Sequence, residues 1–319
     1  MAVAAERDID WEALGVGLLS STLLGWVIHT LVFVLMRRVL LKRFVGFSAE
    51  EIAEIETPRM HLPHEWLNSL LEDPKKRWRV RVVDAAIRKG GHVYSGVGAL
   101  FVTFHFLMKS DGLFELLLAY TLKIALRASI QTCLLWLYHG AEHASKWQFF
   151  SFAFAGADRI RDGRSAHINR ITSWVSSLWG LIVAYLIAYS VLPPIQEDGN
   201  IWMLALDAAM APVIFGDACG ELVGGPFGRH TFEVKGFGEI NKKSYEGCFA
   251  VFLGSLMSMP LLALSPTNPP VGTWLALPCV LAVITTITET ASFRGTDNFT
   301  IPVINMVTLA AWYKVFGLL

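Results

Sequence analysis

The sequence predicts an all-α protein, a polytopic integral membrane bundle of about eight transmembrane helices. Hydrophobic residues make up 54% of the 319 residues and only 17% are charged, while mean hydropathy is +0.47. This composition is typical of membrane proteins. Apolar runs of about 20 residues, the length that a helix needs to cross a bilayer, recur along the chain. The charges between these runs alternate in the way that membrane loops do.

The apolar runs give the positions of the spans. We predict them at residues 12–36, 91–108, 113–138, 171–193, 201–224, 246–264, 273–290 and 301–319. The acidic start of the chain resembles neither a transit peptide nor a basic signal peptide. We therefore expect the first run to be a retained anchor.

The charged residues between the spans predict how the bundle is oriented. Lys and Arg cluster after the first, third and fifth spans, as they do in short cytoplasmic loops. The opposite loops are 109–112, the acidic 195–200 and the neutral 265–270. Both termini are therefore expected on the non-cytoplasmic face. The same alternation brings RKGGH, GGPFGRH, NKKS and FRGTDN together on the cytoplasmic face.

Two regions follow from this pattern. Residues 1–87 are predicted to form an anchor helix and a cytoplasmic arm, since 49–85 mixes charged and apolar residues as a helix on a membrane surface does. Residues 88–319 are predicted to form the polytopic domain. The formal net charge is zero, which argues against a nucleic-acid partner. The four cysteines are isolated, so neither a disulfide framework nor a zinc site is expected.

The fifth span carries the first candidate site. Gly216, Gly220 and Gly224 recur every four residues and form a small-residue face that lets another helix approach closely. Asp217 and Glu221 are also four apart and stack on one side of the helix. Carboxylates there must be neutralised, and magnesium is a common choice when carboxylates share the ion with substrate phosphates. The alternative is a packing seam in which Asp217 pairs with an arginine.

The loop after the fifth span carries groups suited to phosphate. GGPFGRH contains glycines that allow backbone N–H groups to face an anion, with Arg229 nearby. Lys242, Lys243 and Ser244 follow as donors for a polyphosphate. Together with the carboxylates they predict a nucleotide–metal site, although ordinary cytoplasmic charges would give the same residues.

Three stretches carry a resemblance to a known family. They are GDACGELVGGPFGRH, INKKSYEGCFAVF and TETASFRGTDNFTIPV, and RKGGHVYSG at 88–96 looks like an opening motif. In this order they resemble the polyprenol kinase family of CTP-dependent membrane lipid kinases. That family includes dolichol kinases, phytol and farnesol kinases and CTP-using diacylglycerol kinases. The resemblance covers roughly 88–319 and is specific at 216–252 and 289–302. The segment 231–240 makes the loop before the lysines longer than is usual in the family.

The resemblance implies roles for particular residues. Asp217, Glu221 and Lys242 would be catalytic, with Asp217 and Glu221 serving the metal or the reacting hydroxyl. Glu289, with Asp297 and Asn298 after it, could complete a second set of metal ligands. The implied nucleotide-binding residues are Gly224, Gly228, Arg229, Lys242, Lys243, Ser244, Glu246, Gly247, Asp297 and Asn298. Pro302 also matches the final motif. The alternative for Asp297 and Asn298 is the capping of helix ends.

The implied reaction is phosphoryl transfer from CTP to the hydroxyl of a membrane lipid alcohol, giving CDP and a lipid phosphate. Mg²⁺ or another divalent cation would be the cofactor. Dolichol, phytol, farnesol and diacylglycerol all remain open as acceptors, and ATP or another nucleotide remains open as donor. The active site would face the cytoplasm. The membrane could be that of the endoplasmic reticulum, a plastid or the bacterial inner membrane.

Basic residues near or within spans have two interpretations. Arg88, Lys89 and His92 could extend to the membrane surface or contact a phosphate or lipid headgroup. Lys123 and Arg127 could pair with a buried acid such as Glu115 or line a lipid-phosphate cavity.

Three other functions compete with the kinase. A phosphatidate cytidylyltransferase uses the same nucleotide, but its Asp- and Gly-rich signature is not found. A membrane transporter would place its charges along a path rather than gather them at one face. HGAEH at 139–143 fits an inverted zinc-protease pattern, but five residues make a weak signal.

Overall fold

A computed structural model describes residues 32–33, 35–56, 69, 71–109, 166–192, 205, 208–235, 240–258, 271–292 and 295–316. Helices hold 85% of these residues. The prediction of a mainly helical chain is confirmed.

The elements follow one another along the chain as helices interrupted by one hairpin. The helices are α1 (Leu35–Leu40), α2 (Ala49–Glu56), α3 (Pro74–Lys109), α4 (Ala166–Val191), α5 (Asp217–Phe227), α6 (Tyr245–Ser258), α7 (Val271–Ala291) and α8 (Asp297–Val315). Two π-helical segments, Leu41–Val45 and Pro212–Gly216, extend α1 and lead into α5. The strands are β1 (Thr231–Lys235) and β2 (Ile240–Ser244).

The hairpin corrects the all-α prediction. β1 and β2 pair antiparallel, with Phe232 opposite Lys243 and Glu233 opposite Lys242. Apolar and polar residues alternate in TFEVK, the period of a strand, and the segment carries the β-branched and aromatic residues that strands favour. The Phe232 ring packs on Tyr245 with centroids 4.8 Å apart, which ties the hairpin to the start of α6.

Four of the predicted spans coincide with described helices. These are 171–193 with α4, 246–264 with α6, 273–290 with α7 and 301–319 with α8. The span 113–138 and most of 12–36 lie outside the described residues. Across the parts of the chain that the structure describes, no helix has both the length and the apolar character needed to cross a membrane. The membrane bundle therefore stays a prediction.

Helix α3 runs through the boundary that we predicted between residues 87 and 88. It begins at Pro74, and Asp73 Oδ1 accepts a hydrogen bond from the backbone N–H of Lys75 at 2.9 Å. Proline in the first turn after a capping aspartate is a common helix start. The predicted span 91–108 is thus the second half of a longer helix that also forms part of the arm.

Two apolar cores hold the described helices together. One joins α4, α7 and α8 around Leu281, Met306 and Leu309. The other joins the π-helical segment after α1, α2 and α3 around Leu41, Ile55 and Val83.

Helices α4 and α8 meet at Gly180. A Cβ atom there would lie 2.4 Å from the backbone oxygen of Asn298 and 2.8 Å from the Cα atom of Phe299. Backbone atoms cannot move aside as a side chain would, so only glycine allows this approach. It holds the start of α8 in place.

We expect Gly180→Ala to lower the free energy of unfolding by about 1–3 kcal/mol, because the two helices must separate. Gly225→Ala is the matched control, since a Cβ atom there would meet nothing within 4 Å. Thermal unfolding of both purified variants in detergent measures the difference. Equal midpoints would contradict the close approach of α4 and α8.

Candidate functional site

The three glycines of the fifth predicted span pack α5 and its leading π segment against α6. A Cβ atom would lie 2.3 Å from Ser255 Oγ at Gly216, 2.5 Å from Val251 Cγ2 at Gly220 and 3.1 Å from Gly247 Cα at Gly224. The predicted close helix approach is confirmed.

Asp217 and Glu221 contact α3 rather than α6, and each meets a cation there. Lys89 Nζ, with its side chain only 1% exposed, contacts Asp217 Oδ2 and lies 3.3 Å from Glu221 Oε2. Arg88 Nη1 lies 2.7 Å from the same Glu221 oxygen. An arginine was one predicted partner of Asp217. In the structure, Lys89 is the cation that contacts it.

His92 stands one turn further along α3, above the same carboxylate. Its Nε2 lies 3.3 Å from the backbone oxygen of Val213 and 3.8 Å from Asp217 Oδ2. Val213 belongs to the π-helical segment before α5. Such segments are rare and occur often at functional sites. All three basic residues of the opening motif therefore lie at the end of α5 that carries Asp217.

A second ion pair joins the hairpin to α7. Lys243 Nζ lies 2.7 Å from Glu289 Oε1 and donates to the Glu289 backbone oxygen at 3.2 Å. Burial lowers the pKa of Lys243, but the Glu289 carboxylate outweighs this effect and holds the pKa above its usual value. Lys243 therefore stays charged.

Asp297, the first residue of α8, interacts electrostatically with both ion pairs. Its Oδ1 atom is buried and has no hydrogen-bond partner among the described residues. Burial and the negative charges of Asp217 and Glu289 raise the pKa of Asp297 to about 6, against the opposing effect of Lys89 and Lys243. A buried carboxylate without a hydrogen-bond donor is costly to a fold.

Asn298 connects α8 to α4. Its Nδ2 donates to Ser173 Oγ at 2.6 Å. The N-cap of α8 is Thr296, so neither Asp297 nor Asn298 caps the helix. The role of Asn298 in the structure is to hold the helix that presents Asp297.

The two adjacent lysines point to opposite faces of β2. Lys242 is 72% exposed, and its Nζ lies 4.0 Å from Glu233 Oε1 on the neighbouring strand. Lys243 is 24% exposed and enters the site. This follows from the two-residue period of a strand. The lysines were predicted to act together on one polyphosphate, and the structure brings only Lys243 to Glu289.

Several predicted nucleotide-binding residues build the turn between β2 and α6. Ser244 Oγ accepts a hydrogen bond from the Gly247 N–H at 3.1 Å. A Cβ atom at Gly228 would lie 2.5 Å from that Ser244 oxygen. Glu246 Oε1 lies 2.6 Å from His230 Nδ1, while Arg229 is exposed. These contacts bring the glycine-rich loop to the start of α6.

The predicted metal ligands do not form a metal cluster. Within the described ranges, no three or more His, Cys, Asp or Glu side chains lie close enough together to hold an ion. Glu221 and Glu289 are both engaged by cations. Magnesium that is shared with substrate phosphates needs only one or two protein carboxylates. Asp217 is engaged as well, by Lys89, so an ion brought by a nucleotide would have to share Asp217 with that lysine.

A cleft that was not predicted from the sequence lies beside Glu221. It opens between α3 and α5, and among its lining residues are Arg77, Arg81, Glu221 and Gly225. Arg77 and Arg81 are four apart, and this spacing was the available signal. Lys123, Arg127 and HGAEH at 139–143 lie outside the described residues.

Comparison with known proteins found no matching family model, no similar curated protein and no similar solved structure. The resemblance to polyprenol kinases therefore stays a prediction.

The separation of the two lysines gives a stability prediction. Lys243→Met leaves the Glu289 carboxylate without its cation, so we expect a loss of about 1–3 kcal/mol in unfolding free energy. Lys242→Met at the surface should change it by less than about 0.5 kcal/mol. Denaturant unfolding of both variants measures these values. Equal losses would show that the strand faces are assigned wrongly.

Proposed function

We propose that the protein transfers the γ-phosphoryl group of CTP to the hydroxyl of a membrane lipid alcohol, producing CDP and a lipid phosphate. The observation that supports this most directly is the group of charges where α3, α5, α7 and α8 meet. Arg88, Lys89 and Lys243 contact carboxylates there, while Asp297 keeps a buried oxygen without a hydrogen-bond donor among the described residues.

Phosphoryl transfer depends on positioning and on the neutralisation of phosphate charge. The three cations are held in place by carboxylates, so they do not have to be ordered when the nucleotide binds. A magnesium ion carried by the nucleotide would be held by Asp217 and would supply further charge neutralisation. Because four carboxylates lie beside three cations here, the positive charge that offsets a polyphosphate would come from that ion.

Asp297 is the carboxylate best suited to accept the proton of the acceptor hydroxyl. Asp217 is neutralised by Lys89, whereas Asp297 has a pKa of about 6, close to the operating range of a general base. The hydroxyl oxygen attacks the γ-phosphorus and forms the new O–P bond. The bond from phosphorus to the β–γ bridging oxygen breaks, CDP leaves, and the proton passes to Asp297. This revises the role that the resemblance implied for Asp297.

The exposed surfaces of α6 and α7 are apolar in places, as expected if the acceptor lies in the bilayer. Phe249 and Met257 on α6 and Ile287 on α7 are large apolar side chains that are exposed. Exposed apolar surface of this kind marks contact with lipid or with a partner. It supports the predicted membrane bundle and an acceptor that reaches the site from the lipid.

Phosphotransfer by the purified protein in nanodiscs tests the proposal. γ-Labelled CTP or ATP would be supplied with magnesium and with phytol, farnesol, dolichol or diacylglycerol. We expect label in one lipid class, loss of it in Asp217→Asn, and retention in Lys235→Gln, an exposed control on the hairpin. No labelled lipid from any combination would overturn the kinase proposal. Transfer of α-label from CTP to phosphatidate would indicate the cytidylyltransferase instead.

Asp297→Asn should lower kcat by about 10²- to 10⁴-fold, the range for loss of a general base. KM for CTP should change little, because the cations are untouched. The wild-type rate should fall as pH drops below about 6, where Asp297 becomes protonated. A pH–rate profile of both proteins measures this. A rise in KM with unchanged kcat would assign Asp297 to nucleotide binding.

The same substitution should affect stability in the opposite direction. The pKa of Asp297 is raised from 3.8 to about 6 by folding, so its contribution is complete below about pH 4 and is lost as pH rises through about 6. Asp297→Asn removes the buried charge and should unfold a few degrees higher than wild type at pH 8. Thermal unfolding at pH 5 and pH 8 measures the change. A variant less stable than wild type at pH 8 would argue for a structural role.

A further inference from the structure

Three exposed aromatic side chains form a row that crosses α3 and joins the π-helical segment after α1 to the end of α5. The ring centroids of Phe44 and Trp78 are 6.3 Å apart, and those of Trp78 and Phe227 are 6.1 Å apart. The three residues are 37%, 39% and 55% exposed. The row therefore presents a continuous apolar strip from the end of α1, across α3, to the end of α5.

The row is held by the backbone around it. Trp78 Nε1 donates to the Pro226 carbonyl oxygen at 3.1 Å. Leu41 and Val45, on either side of Phe44, are buried, and Gly46 turns the chain with φ of 89°. The aromatic strip is thus fixed by contacts on its inner side and remains exposed on its outer side.

Basic residues neighbour Phe44 and Trp78 along the chain, and one of them contacts a ring of the strip. The Arg79 guanidinium lies 5.6 Å from the centre of the Phe44 ring. Lys42, Arg43 and Lys75 are exposed. Lys76 pairs with Glu51 at 3.2 Å. By contrast, Lys42, Arg43, Lys75 and Arg79 have no ion-pair partner in the described part of the chain. Their charge is available to an external anion.

We propose that this aromatic–basic face docks on the anionic headgroup surface of a membrane, with the rings in the interfacial layer and the cations beside lipid phosphates. Trp78 favours this layer because its ring is amphipathic, and Phe is common on the apolar face of segments that lie in the interface. Basic residues near an anionic leaflet each contribute about 1 kcal/mol. The occupant is a lipid surface, because the strip joins fixed apolar rings to cations that have no ion-pair partner among the described residues.

Docking bears on the candidate site through Pro226. That residue lies near the end of α5, the helix that carries Asp217 and Glu221. A docked row would fix that end of α5 at the membrane surface. The docking itself does not depend on the proposed reaction, so its test needs no activity measurement.

Depth-dependent quenching tests the docking. A fluorophore on a single cysteine at Gly225, where added atoms meet nothing within 4 Å, reports on the neighbourhood of the row. Labels at Glu233 and Ile287 serve as surface and lipid-depth references. The labelled full-length protein would be placed in phosphatidylcholine nanodiscs with or without phosphatidylglycerol. Lipids that carry a nitroxide near the headgroup or deep in the acyl chain would act as quenchers.

We expect headgroup-level quenching at Gly225 that increases with phosphatidylglycerol and no quenching at Glu233. Replacing Lys42, Arg43, Lys75 and Arg79 by Gln should weaken the docking about fivefold for each charge removed, and Phe227→Ser should also reduce quenching. Lys235→Gln, on the hairpin, is the matched control and should leave quenching unchanged.

Quenching at Gly225 that does not respond to phosphatidylglycerol or to the four Gln substitutions would overturn the proposal. Loss of the quenching when free phosphate or CTP is added would also overturn it, because the face would then bind soluble anions. Shielding of the label by polyglutamate but not by nanodisc lipid would overturn it too, because it would indicate an acidic protein partner. Deep quenching at Ile287 without quenching at Gly225 would reject the docking alone. Quenching at Gly225 without deep quenching at Ile287 would support the docking while removing the membrane premise of the proposed function.

Discussion

The contact of Lys89 with Asp217 and Glu221 is the interaction on which the rest of the candidate site depends. Buried charges are costly unless they are matched by opposite charge at close range. The contact therefore fixes α3 against α5 at one register. On its other side, the glycine face of α5 fixes α6, and α6 follows directly from the strand that carries Lys243. Lys243 then reaches Glu289 on α7, so one buried contact sets the positions of both cation groups.

This arrangement changes the role of the carboxylates. The sequence suggested Asp217, Glu221 and Glu289 as a set of metal ligands. In the structure each of them holds a lysine or an arginine. For a reaction on phosphate, carboxylates that position cations are as useful as carboxylates that bind metal, because both place positive charge beside the phosphate. Asp297 then differs from the other three, since no cation pairs with it in the described part of the chain and one of its buried oxygens has no hydrogen-bond donor there.

The part of the fold that depends on local pattern could be predicted from the sequence. Apolar runs gave the positions of α4, α7 and α8, and the four-residue glycine spacing gave the close packing of α5. The pairing of Lys89 with Asp217 joins residues 128 positions apart, and no local pattern specifies such a contact. The separation of Lys242 from Lys243 depends on β2 being a strand, which the sequence analysis treated as a loop. The isolation of Asp297 depends on burial by several elements at once.

A double-mutant cycle on Lys89 and Asp217 tests whether this contact holds α3 against α5. Lys89→Met, Asp217→Leu and the double variant would be unfolded by denaturant alongside wild type. Each single change should cost about 3–5 kcal/mol, because it leaves one buried charge without its partner. The double variant should cost clearly less than the sum, since neither charge remains. Additive losses would contradict the account, because they would mean that the two side chains do not interact in the folded protein.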